Sequence, residues 1–95
     1  MVEKKREFFF YVLFCADGTL YGGFTVDLAQ RVATHNAGKG AKYTRVKSRR
    51  PVRLIYSESY EKKHDALSAE YHFKHQTRAA KIVFLKLHDV QLPKM

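Results

Sequence analysis

Phe8 to Arg31, FFFYVLFCADGTLYGGFTVDLAQR, is the stretch whose reading decides the fold. It opens with eight apolar residues, Phe8 to Cys15, too few to cross a membrane and suited to a strand buried on both faces. Ala16-Asp17-Gly18 supplies turn chemistry, with Gly18 able to take positive φ, and a second short strand runs from Thr19 to about Phe24. A helix follows at once. Thr25 can cap its first turn, Asp27 puts negative charge near the positive end of the helix dipole, and Leu28, Ala29, Val32 and Ala33 form one apolar stripe.

The hairpin register decides whether this stretch can form a site. A two-residue turn at Asp17-Gly18 would set Phe14 opposite Tyr21 and Tyr11 opposite Phe24, sending the two tyrosines to opposite faces. A three-residue loop, Ala16-Asp17-Gly18 with Gly18 in the left-handed position, pairs Leu13 with Tyr21 and Tyr11 with Gly23. Tyr11 and Tyr21 then become diagonal neighbours on one face, about 7 Å apart, and Gly23 leaves space beside Tyr11. The three-residue loop is the expected one.

From this point the residues resemble a known family. Tyr11, Tyr21 ten positions later, Gly23, Thr25-Val26-Asp27-Leu28, Arg31 and His35 are similar in order and spacing to the GIY-YIG nuclease domain. The similarity runs on through His35-Asn36-Ala37-Gly38-Lys39-Gly40-Ala41-Lys42-Tyr43-Thr44-Arg45, then Pro51-Val52-Arg53-Leu54, and Glu70 with Lys74. It is closest to the small stand-alone bacterial members and covers nearly the whole chain. Phe9-Phe10 stands where the family name has a glycine, Gly22 replaces the usual aliphatic residue, Phe24 stands where some members have lysine, and no asparagine follows Glu70.

At 95 residues the chain is expected to be one domain, with residues 1–7 and 91–95 as tails. The single Cys15 cannot form an internal disulfide and suits a reducing cytoplasm, where it reads as a small core thiol. The N-terminal MVEKKRE lacks the pattern of a signal peptide, and no stretch is long and apolar enough to span a membrane.

The formal charge of +9 is unevenly spread. Between Leu28 and Ser57 there is no acidic residue, while Arg31, Lys39, Lys42, Arg45, Lys47, Arg49, Arg50 and Arg53 are all cationic. Cations without counter-charges repel one another, so a polyanion partner accounts for the run better than a merely solubilising loop. The resemblance makes DNA the expected polyanion, with RNA also possible. Tyr43, among these cations, could stack on a base or pack internally.

The first helix is expected over about Val26–Ala37, stopped by Gly38, with a long basic loop over 38–50. Pro51 opens a third strand, Val52 to about Ser57, in which Val52, Leu54 and Tyr56 alternate with Arg53 and Ser57. Helices follow at about Lys62–Thr77 and Arg78–His88, although Ile82 to Leu85 also suits a short strand. The fold class is α/β in the α+β sense: a small three-stranded antiparallel sheet flanked by helices in ββαβα(α) order.

Glu70 is the most informative residue outside the hairpin, since it falls within an apolar arc of Ala66, Leu67, Ala69 and Phe73. It could be Lys74's partner one turn on, or a metal ligand. The resemblance implies the second: Glu70 binds a catalytic Mg²⁺ or Mn²⁺ and Arg31 grips the scissile phosphate, while Tyr11 or Tyr21 is the candidate for proton transfer and His35 could orient the attacking water, accept a proton or contact phosphate. His64, His72, His75 and His88 do not make a metal set, since His72 and His75 lack a third nearby ligand. The implied function is a metal-dependent DNA endonuclease in repair or processing; a binding module on the same scaffold is the rival.

Overall fold

The computed structural model describes residues 7–93. The element order is β1 (Phe8–Phe14), β2 (Leu20–Thr25), α1 (Leu28–Asn36), β3 (Arg53–Tyr60), α2 (Lys63–Lys74) and α3 (Arg78–Leu87), with two short 3₁₀ turns, Lys42–Arg45 and Lys47–Arg49, inside the basic loop. The three strands form one antiparallel sheet in the order β2-β1-β3. The expected α+β architecture is therefore the one observed.

The hairpin takes the three-residue loop. Tyr11 pairs with Gly23, Leu13 with Tyr21 and Phe14 with Leu20, and the turn is closed by Cys15 N–H donating to Thr19 O and Gly18 N–H to Cys15 O, both at 2.9 Å. Gly18 has φ +83°, the left-handed conformation that a side chain disfavours. Asp17 stiffens the loop by accepting from the Thr19 backbone N–H and hydroxyl, at 3.1 and 2.6 Å, which lowers its carboxyl pKa.

Strand parity then builds two cores on β1. Phe10, Val12 and Phe14 join Leu20, Phe73 and Leu85 on the side covered by α2 and α3. Tyr11, Leu13 and Cys15 join Val52 and the half-buried Tyr21, Leu28, Val32 and Tyr43 on the side covered by α1 and the basic loop. Covered on both faces, β1 is buried from Phe10 onward, which explains why its sequence is an unbroken apolar run. Gly22 lies on the α2 side, where the Phe73 ring occupies the space a side chain would need: a Cβ there would sit 2.8 Å from Phe73 Cδ2.

Four local expectations are corrected. Asp27, not Thr25, caps α1: its backbone is extended and its carboxylate accepts from Gln30 N–H at 3.1 Å, while Thr25 accepts from Asp27 N–H. Ala29 and Ala33 face solvent, because α1 docks through Leu28, Val32 and the fully buried His35. In β3 a bulge between the partners of Val12 and Leu13 breaks the alternation, so that Ile55 and Tyr56 both pack toward α2 and α3 and Leu54 is left exposed. Finally, α2 stops at Lys74 and Thr77 starts α3 by accepting from Ala80 N–H, so a side-chain cap makes the break that no Gly or Pro marked.

Ile82 to Leu85 is helical. Of the two expected tails, residues 1–6 and 94–95 lie outside the described residues, while Leu92, like Val90 just before the tail, packs against the α2–α3 core. Because Phe73 touches Phe10 and Phe84 and fills the space over Gly22, Phe73→Ala should lower the unfolding free energy by about 3–5 kcal/mol in urea titration. A loss below about 1 kcal/mol would mean that the core closes over the gap.

Candidate active site

The hydroxyl of Tyr11 is the centre of the α1-side core. A Cβ on Gly23, its cross-strand partner, would collide with the Tyr11 oxygen, so glycine is required there and the expected open space is taken by the phenol itself. Arg31 Nε donates to this oxygen at 3.2 Å, and His35 Nε2 lies 2.8 Å from it. Arg31 and His35 reach it together because they stand one turn apart on α1. Tyr21 shares the face, with its ring 6.5 Å from that of Tyr11 and 5.3 Å from that of His35. The two tyrosines, Arg31 and His35 are therefore brought together.

Burial pushes the Tyr11 phenol up to about 12, only partly opposed by Arg31. Burial also holds the His35 imidazole down to about 4, and the Arg31 charge adds to that effect. Arg31 is held more firmly charged than usual by its hydrogen bond to Tyr11. At neutral pH the cluster is thus a phenol, a neutral imidazole and a guanidinium.

Glu70 approaches from α2. Its carboxylate adds to the pressure on the Tyr11 phenol and forms an ion pair with Lys74 Nζ at 3.0 Å. The Lys74 ammonium also lies 5.2 Å from the centre of the Tyr21 ring. Among the described residues there is no cluster of three or more His, Cys, Asp or Glu side chains able to hold a metal. A lone carboxylate does not suit zinc, but it suits Mg²⁺ or Mn²⁺, which keep most of their water and complete their shell with phosphate oxygens.

The cations of the basic loop fall into two groups. Arg49 is engaged three times: its Nε donates to Asp17 Oδ2 at 3.2 Å, its Nη1 donates to Tyr43 O at 3.1 Å, and its guanidinium lies 3.8 Å over the Tyr43 ring. The half-buried Tyr43 ring also stacks on Tyr21 at 5.7 Å, so it has internal packing partners. Arg50 packs over Gly38 at the end of α1. Lys39, Lys42, Arg45, Lys47 and Arg53 are exposed.

Two residues of the cluster escaped the sequence reading. Thr44, fully buried, has its Oγ1 2.6 Å from His35 Nδ1. Gly40 leaves room for the same ring, since a Cβ there would lie 2.6 Å from Nδ1. Only the contiguity of the His35–Arg45 motif pointed toward them.

The family model for the GIY-YIG catalytic domain matches residues 7–82. A UPF0213 protein of Lactiplantibacillus plantarum is 64% identical over 87 residues, covering 92% of this chain and 86% of its own. The solution NMR structure of an Enterococcus protein, E. faecalis, superposes with a TM-score of 0.59 at 39% identity and covers 99% of both chains. That of a UPF0213 protein from Bacillus halodurans gives 0.57 at 37% identity, covering 85% of this chain and 84% of its own.

The depressed His35 pKa has a consequence for stability. An unfolded chain takes up a proton on this imidazole below about 6.5, whereas the folded protein resists it until about 4. Stability is therefore full above pH 6.5 and falls as the pH drops through that window, by about 3 kcal/mol. Urea midpoints measured at pH 7, 6, 5 and 4 should show this slope, and His35→Gln should flatten it. An equal slope in both proteins would place the acid sensitivity elsewhere.

Proposed function

The chain belongs to the GIY-YIG nuclease family, and from that membership we propose that it is a divalent-metal-dependent endonuclease hydrolysing DNA phosphodiester bonds, in a repair or processing setting. The observation that carries the reading is the Tyr11 oxygen, held between a permanent cation and a neutral imidazole nitrogen at 3.2 and 2.8 Å. Such an arrangement can bind a phosphate and move a proton at adjacent atoms.

Arg31 would take the scissile phosphate through the remaining N–H groups of its fork. A divalent cation held by Glu70 would supply charge neutralisation for the phosphate and for the leaving oxygen. Water is activated through Tyr11: the phenol proton passes to His35 Nε2 as the Tyr11 oxygen takes a proton from the attacking water. The water oxygen bonds to phosphorus, the bond to the leaving oxygen breaks, and solvent protonates that oxygen.

An imidazole held near 4 is a weak proton acceptor, but part of that depression comes from the Arg31 charge. A phosphate bound at Arg31 offsets this charge and makes His35 more basic at the moment of need. Tyr21, half-buried beside Tyr11 and His35, lines the place where the water would stand.

The exposed Lys39, Lys42, Arg45, Lys47 and Arg53 form the proposed phosphate-contacting surface. Tyr43, Arg49 and Arg50 shape the loop that carries it. For duplex DNA, log K should fall with log salt by about 0.9 per phosphate neutralised, and Lys42→Ala with Arg45→Ala should reduce that slope by about 1.8. An unchanged slope would return these side chains to the status of a solvated loop.

The second reading, a module that binds without cutting, draws on the Glu70–Lys74 pair, which already occupies the carboxylate. Glu70→Gln separates the two readings. The side chains are 19% and 42% exposed, so losing the pair should change stability by only about 0–1 kcal/mol. Cleavage of labelled duplex or branched DNA with Mg²⁺ or Mn²⁺ should nearly vanish, while metal-free binding persists. A variant that melts normally and cuts at the original rate would remove Glu70 from the mechanism.

A further inference from the structure

Thr44 lies in the first 3₁₀ turn of the basic loop, and both it and His35 are fully buried. Its Oγ1 meets two neighbours, His35 Nδ1 at 2.6 Å and Ala41 O at 3.1 Å. A carbonyl can only accept, so when the hydroxyl proton goes to Ala41 O, which also takes the Thr44 and Arg45 backbone N–H groups, a lone pair faces Nδ1. Nδ1 must then carry the ring hydrogen. At the far side of the ring Nε2 is left with its lone pair, and Tyr11 donates to it at 2.8 Å while accepting from Arg31 at 3.2 Å.

In this order the Arg31 Nε–H, the Tyr11 hydroxyl, the His35 Nδ1–H and the Thr44 hydroxyl each meet an acceptor. The reversed order fails at Tyr11. With hydrogen on Nε2, both His35 and Arg31 would donate to the phenol oxygen, and the phenol proton would have no acceptor among the described hydrogen bonds. A buried donor left unmade disfavours that state. Gly40 lies against the same ring, where even a Cβ would sit 2.6 Å from Nδ1, so a side chain at position 40 would push His35 away from Thr44.

We infer that Thr44 is a positioning residue: its hydroxyl fixes His35 as the tautomer with hydrogen on Nδ1 and thereby keeps Nε2 as the acceptor for the Tyr11 proton. The functional half of this inference rests on the nuclease reading above. When Tyr11 gives up its proton, its O–H bond breaks and an N–H bond forms at Nε2. The resulting imidazolium keeps its Nδ1–H on Thr44, which therefore supports both the resting ring and the charged one. Thr44 is fully buried and acts through His35.

The test uses the full chain labelled with ¹⁵N-histidine, first without metal or DNA. The ¹⁵N shifts of His35 should show a protonated Nδ1 and an unprotonated Nε2. Thr44→Val keeps the shape but removes the acceptor, so hydrogen should move to Nε2. Cleavage of labelled DNA with Mn²⁺ should then fall about 10²-fold in kcat with KM for DNA unchanged. Thr44→Ser should restore both the tautomer and the rate.

Hydrogen on Nε2 in the unsubstituted protein would overturn the inference outright, whether or not the valine variant folds. So would a valine variant that cuts at the original rate, or a serine variant that restores folding without restoring the tautomer. If the tautomers behave as expected and the unsubstituted protein cuts no DNA, Thr44's hold on the imidazole stands and the nuclease reading falls.

Discussion

The constraint on which the molecule turns is the absence of a side chain at position 23. The Tyr11 hydroxyl fills the space where a Cβ would be, so the phenol lies across β2 and points its oxygen at α1. A one-residue slip of the hairpin would put Phe24 opposite Tyr11 and send Tyr21 to the other face. Loop length, strand pairing and the placing of α1 are thus parts of one condition. The left-handed Gly18 lets the three-residue loop form, the loop sets the register, and the register opens the space that Tyr11 needs.

This condition was legible because it is local. Once the three-residue loop is chosen, parity along the two strands is settled by counting, which puts Tyr11 opposite Gly23 and both tyrosines on one face. The choice of helix face was harder. Two alanines on α1 look apolar, yet Ala29 and Ala33 point outward while His35 goes fully inside. A small side chain gains little from burial, and an imidazole hydrogen-bonded at both nitrogens costs little to bury, so partners decide against hydropathy. Those partners come from another strand and from the basic loop, beyond the reach of any helical wheel.

The basic segment had to be divided by structure for the same reason. As a run of residues its cations look equivalent. Folded, Arg49 ties the loop to the hairpin through Asp17 and braces the Tyr43 ring, which also stacks on Tyr21. That brace brings Thr44 against His35, since Tyr43 and Thr44 share one 3₁₀ turn. The same loop therefore presents exposed cations outward and a hydrogen-bond acceptor inward. Electrostatic repulsion among the outward group is tolerated because these side chains are solvated, whereas Arg49 has carboxylate, carbonyl and aromatic partners.

Lys74 brings a further balance of charge to the cleft. Phe24 stands where some members of the family have lysine, and Lys74 reaches from α2 to within 5.2 Å of the Tyr21 ring centre while pairing with Glu70 at 3.0 Å. Without a cation on the carboxylate, Glu70 would add an uncompensated negative charge beside the Arg31 position that the proposed reading gives to phosphate, and Lys74 cancels it. A divalent ion on Glu70 would have to displace this ammonium, and the displaced ammonium would be left beside a double charge. A phosphate entering with the ion relieves that repulsion, because it gives Lys74 a new counter-charge at the moment the old one is taken. On the proposed reading, metal and nucleic acid therefore bind with positive coupling, because the phosphate lowers the electrostatic cost of displacing Lys74 from Glu70.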